Sequence, residues 1–114
     1  MMNAINTLYR FNQLAAERVD LSVLKNNTTG AEQALYRALF EDVSEEMQSL
    51  IPLIRNIFKR IRRRSTARDI IAIYFEDVGY QDWADTRGVS MNALYDNIKE
   101  TLEEIDREIE AEAA

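Results

Sequence analysis

The chain has 114 residues, with 14 Lys and Arg against 20 Asp and Glu and a formal charge of −6. It has neither cysteine nor histidine, which excludes disulfides, thiolate zinc sites, cysteine nucleophiles and every catalytic arrangement built on an imidazole. Only three glycines and one proline accompany an ordinary share of hydrophobic residues, which points to one all-α domain, a small helical bundle, rather than a turn-rich β fold.

The first element is an amphipathic helix. Ile5, Leu8, Phe11 or Asn12, and Ala15 recur at three to four residues, and the pattern is expected to end near Arg18. Thr29 followed by Glu32 is a capping-box signature for a second helix. Its apolar stripe, Leu35, Leu39, Val43, Met47, Leu50, Ile54, Phe58 and Ile61, is longer than a usual globular helix. Ser44 offers a fresh cap, and Pro52 lacks an N–H and clashes with the preceding turn, so two helices are expected here. Glu41, Asp42, Glu45 and Glu46 along this stretch are expected to face solvent.

Ser65 or Thr66 is the expected cap of the next helix, which runs through Phe75 on the apolar side chains Ile70, Ile71, Ile73 and Tyr74. Asp69 lies near the positive end of its dipole. After it comes a helix of about two turns, a tight turn at Gly88, a cap at Ser90, and a longer helix from Met91 with Leu94, Ile98, Leu102, Ile105 and Ile109 on its apolar face. That order is a helix-turn-helix. Ala84 is small where the helices cross, Gly88 supplies the left-handed conformation, Val89 and Leu94 fill the angle, and Trp83 anchors the first helix. Residues 1–64 then form the N-terminal helical part of the domain, and 65–114 the part that carries the motif. The stripe from Tyr95 to Ile109 is expected to pack on the N-terminal helix; the same spacing also fits a short homodimer seam. The ending REIEAEAA has little apolar content and is expected to fray.

No run reaches the roughly 18 apolar residues of a membrane span. The start MMNAINTLYRFNQ lacks the charged-then-apolar order of a secretion signal, so a cytoplasmic location without a membrane partner is expected. No phosphate-binding Gly-rich loop, calcium-loop ligand series or nucleophile elbow is present, and neither an enzyme nor a cofactor is expected.

The charge is unevenly placed. Seven of the 14 positives, Arg55, Lys59, Arg60, Arg62, Arg63, Arg64 and Arg68, fall in one stretch without an acid, so the other seven stand against all 20 acids and leave the rest of the chain at −13. Three roles suit such a run: a clamp on nucleic-acid phosphates, a partner for the chain's own acids Glu103, Glu104, Glu108 and Glu110, or a dock for an acidic protein surface.

The stretch RDIIAIYFEDVGYQDWADTRGVSMNALYDNIKETLEEI, Arg68 to Ile105, resembles the region 4 helix-turn-helix of sigma-70-type factors, especially the extracytoplasmic-function kind and related small phage or mobile-element regulators. The resemblance rests on IYFEDVGY, WAD, GVS and the spaced ALYDNIKETLEEI, and it covers about a third of the chain. It implies a transcription regulator whose partners are promoter DNA, RNA polymerase or both. By position, Met91, Asn92, Ala93, Tyr95, Asp96 and Lys99 would face bases, and Gln81 with Asn97 would touch phosphates. Two departures accompany it. Arg87 stands where the family usually has an apolar residue, and the reading helix carries Asp96, Glu100, Glu103 and Glu104 against Lys99 alone. The acids oppose binding to phosphates, so the basic run would have to supply the attraction. The same acids open an alternative: an acidic module or inhibitor that imitates nucleic acid on a protein partner.

Overall fold

The computed structural model describes residues 3–113, and those residues form five helices. Helix α1, Ala4–Asn26, begins where the Asn3 side chain accepts the N–H of Asn6 at 2.8 Å, satisfying one free donor of the first turn. It continues past the expected end near Arg18 because Leu14 and Leu21, two turns apart on one face, are buried against the next helix.

That helix, α2, is Gly30–Lys59 and is unbroken. The expected division in two is wrong. Ser44 does not open a new helix: its hydroxyl turns back to the carbonyl of Phe40 at 2.8 Å and receives the guanidinium of Arg18 at 3.0 Å. Pro52 removes one backbone donor, yet Leu50 and Ile57 are buried on either side of it and Ile54 packs against both apolar clusters of the protein. Each fully buried Leu or Ile contributes about 1.5–3 kcal/mol, enough to offset the missing bond. The capping box fails too. Thr29 has the extended backbone of an N-cap without a side-chain bond, while neighbouring Thr28 donates to the carbonyl of Leu24.

α1 and α2 form an antiparallel hairpin, the largest helix interface of the fold. The pairs descend in order: Arg10 with Glu46 through two 2.9 Å bonds, Arg18 with Ser44, and the ammonium of Lys25 4.3 Å above the Phe40 ring. Glu41, Asp42 and Glu45 are exposed as expected, and so is Glu46 on the rim.

The remaining helices are α3, Arg64–Tyr74, α4, Tyr80–Arg87, and α5, Met91–Ala113. α3 starts earlier than expected. Its N-cap is Arg63, and Thr66 is buried inside the helix rather than capping it. The main core draws on every helix: Ala4 and Leu8 of α1, Ile57 of α2, Ile70 of α3, Ala84 of α4, and Leu94, Ile98, Leu102 and Ile105 of α5. Ile73, Trp83 and Ile109 pack against it from its edge. The apolar stripe of α5 thus lies within the chain's own core. A second cluster, Leu14, Leu21, Val43 and Leu50, belongs to the hairpin alone. The hairpin reaches beyond the bundle, giving a radius of gyration of 17.0 Å and extents of 50 × 40 × 18 Å, whereas a compact domain of about 100 residues has a radius near 13 Å.

The ending expected to fray is helical as far as Ala113, and Ala114 lies outside the described residues. Arginines from the α2–α3 connection reach Glu108 and Glu112 in this last part of the helix. None of the five helices is long and apolar enough to cross a membrane.

Candidate nucleic-acid interface

The turn between α4 and α5 requires a left-handed residue. Gly88 supplies it at φ 70° and ψ 32°, its N–H reaching the carbonyls of the last turn of α4, and the Val89 N–H closes on Ala84 at 3.0 Å. Ser90 then caps α5 by accepting the Ala93 N–H at 3.1 Å. Ala84 is fully buried, so a larger side chain there would force the two helices apart. Leu94 fills the angle between them, but Val89 does not: it is 39 % exposed.

Behind the turn lies a polar network centred on Asp69, which is 1 % exposed. Its carboxylate accepts the Trp83 indole N–H at 2.7 Å and the Arg87 guanidinium at 2.7 and 3.3 Å. A buried carboxylate needs such partners, and the bond to Asp69 holds the Arg87 pKa above its ordinary value. The role expected of Asp69 at the helix dipole is therefore replaced by a tie between α3 and α4. Arg87, the departure from the sigma-type pattern, is the other half of that tie. Arg68 covers the outer side of Trp83 with its guanidinium 4.8 Å from the ring, and it pairs with Glu76.

α5 turns Met91, Asn92, Ala93, Tyr95, Asp96 and Lys99 outward, all exposed. Tyr95 stands edge-on to Tyr80 at 5.6 Å, which fixes its ring at the start of this face. Lys99 lies 3.9 Å from Glu103, one turn on. Gln81 gives its side-chain amide to Asp85 at 2.8 Å. Asn97 is half-buried and donates to the Thr66 hydroxyl at 3.2 Å, so it joins α5 to α3.

The basic run divides into two sets. Arg60 is held by Asn56 and forks onto Glu112, with Glu108 3.7 Å away, and Arg62 reaches Glu108 at 3.1 Å. The Arg60 contact lowers the Glu112 carboxyl below its ordinary range and raises the guanidinium. Arg55, Lys59, Arg63 and Arg64 are exposed and, among the described residues, have no acid within ion-pair distance. Of the four acids expected to meet the run, Glu108 does. Glu103 faces Lys99, and the additional partner is Glu112.

A groove of about 380 Å³ separates the basic connection from α5. Arg60, Arg62 and Arg63 form one wall, Glu100, Glu104 and Glu108 the other, with Thr66 and Asn97 at its floor. Among the described residues no three carboxylates gather closely enough to hold a metal ion. No protein-family model, curated protein or solved structure matches the chain.

Proposed function

We propose that the protein is a small transcription regulator that places the start of α5 in the DNA major groove, on promoter DNA, with RNA polymerase, or on both. One observation carries this reading. The Asn97–Thr66 bond joins α5 to the start of α3, where Arg63 and Arg64 are exposed and, among the described residues, have no acid within ion-pair distance. Base-reading side chains and phosphate-seeking cations thereby share one rigid unit, the arrangement that helix-turn-helix recognition needs. Asn92 and Tyr95 are the candidates for base edges, with Lys99 beside them. Arg62, Arg63 and Arg64 supply the sequence-independent attraction, and Arg55 and Lys59 precede them on α2. The resemblance to sigma region 4 supports the same assignment and adds the polymerase as partner.

A second reading is favoured by the charge of α5. Lys99 is the one cation in its first three turns, and Glu103 stands beside it. On this reading the acidic face imitates nucleic acid and binds a basic protein surface.

DNA affinity measured across salt concentration separates the two. Regulator function predicts that R62A/R63A/R64A weakens binding to all sequences alike and flattens the salt slope by up to about 0.9 per lost phosphate contact. Asn92→Ala should instead change the preference among sequences. Absence of DNA binding by the wild type at about 50 mM salt, with or without polymerase, together with a protein complex that survives nuclease, would establish the second reading.

A further inference from the structure

Resting on the DNA-binding reading, we infer that the acidic end of α5 is an internal competitor for the basic run, occupying with Glu108 and Glu112 the arginines that would otherwise meet phosphates. The geometry is specific. Arg60 presents both terminal nitrogens of its guanidinium to the Glu112 carboxylate, the same planar fork with which arginine grips a phosphate. Arg62, with a side chain 80 % exposed, is nevertheless drawn to Glu108 at 3.1 Å across 46 residues of sequence. Both acids come from the last turns of α5, beyond Leu102 and Ile105, which are the last residues of that helix buried in the core. The Glu108 and Glu112 side chains are 30 % and 66 % exposed, so each can swing off its arginine by rotation while Ile109 keeps the helix on the core.

The arrangement divides the run by function. Arg63 and Arg64, standing free, make the first encounter with a polyanion, while Arg60 and Arg62 engage only where the nucleic acid outcompetes the two carboxylates. Weak sites and stray polyanions meet only the cations without an acid among the described residues, Arg55, Lys59, Arg63 and Arg64, and a well-fitted site gains Arg60 and Arg62 as well. The acidic end thus raises discrimination at the expense of affinity, because each arginine must exchange one anion for another rather than simply gain one.

The test uses the full chain, with duplex DNA as probe and Glu108→Gln/Glu112→Gln as the variant. These substitutions keep side-chain size and remove only charge. On duplex DNA of unselected sequence, where the wild type leaves Arg60 and Arg62 on their carboxylates, freeing the two arginines should steepen the salt slope by up to about 1.8 and tighten binding about tenfold at low salt. The same change of net charge made by Glu41→Gln/Glu45→Gln should leave affinity nearly unchanged. Glu45 lies about 22 Å along α2 from Arg60, beyond a Debye length of about 10 Å. In an Arg60→Ala/Arg62→Ala background the tail substitutions should have no effect. Equal tightening by both charge variants would reduce the effect to net charge and overturn the inference. Unaltered binding by the tail variant, with a wild type that binds, overturns the inference and leaves the regulator reading standing. Failure of both wild type and tail variant to bind overturns the two together.

Discussion

Arg87 on α4 donates to Asp69 on α3 across 18 residues of sequence, through Nε at 2.7 Å and a terminal nitrogen at 3.3 Å, and the Trp83 indole shares the same carboxylate. The short helix α4 has few apolar anchors of its own, with Ala84 alone fully buried, so this tie sets its position and hence the position of the turn that follows.

Asp69→Ala should therefore destabilise the protein by about 3 kcal/mol, the lower end of the range for breaking a buried pair, since Arg87 keeps some access to water. Asp69→Ala/Arg87→Met should recover part of that loss by removing the stranded charge. Urea denaturation followed by fluorescence of Trp83, the one tryptophan, measures both. A loss below about 1 kcal/mol would show that the tie acts as no more than a surface pair.

Pro52 sits inside α2 with an exposed side chain and cannot donate to the carbonyl one turn back. Pro52→Ala restores that bond without touching the core and should stabilise the protein by about 1–3 kcal/mol. The gain belongs in the thermal midpoint and in the helical circular dichroism signal. A destabilised Ala variant would contradict the unbroken helix.

Gly88→Ala isolates the backbone term. A methyl group there would meet no atom within 4 Å, so the penalty comes from the left-handed conformation alone and should be about 1–2 kcal/mol. Asn, which tolerates that conformation, should cost less. Equal losses for Ala and Asn in chemical denaturation would mean that something other than φ limits this position.

Burial pushes the Tyr74 hydroxyl above its ordinary value, with neighbouring Tyr80 adding to the rise, and burial raises Tyr80 as well. A folded-state value above the unfolded one favours the protonated native form. Its stabilising effect is complete below about pH 10 and disappears as the pH rises through the folded-state value. Stability should fall above about pH 10, and Tyr74→Phe should make the fall shallower. Phenolate absorbance offers a second check: under native conditions part of the tyrosine signal should titrate late and appear together with unfolding.

Much of this fold is legible from local chemistry. The scarcity of glycine and proline and the three-to-four spacing of apolar residues point to an all-helical chain, because periodicity and backbone propensity act within a few residues. The turn at Gly88, the Ser90 cap and the core face of α5 follow from the same short-range rules. Tertiary structure decided whatever depends on packing partners distant in sequence. Pro52 and Ser44 are local stop signals, overruled where Leu50, Ile54 and Ile57 pack into the two apolar clusters from one continuous helix. Thr66 looks like a cap and is a buried hydroxyl because Asn97 meets it from α5. Asp69 and Arg87 read as a dipole partner and an anomaly until α3 and α4 bring them together. The basic run is plain in the sequence, but its division into paired Arg60 and Arg62 and unpaired Arg63 and Arg64 is not, since the carboxylates that divide it arrive from the far end of the chain.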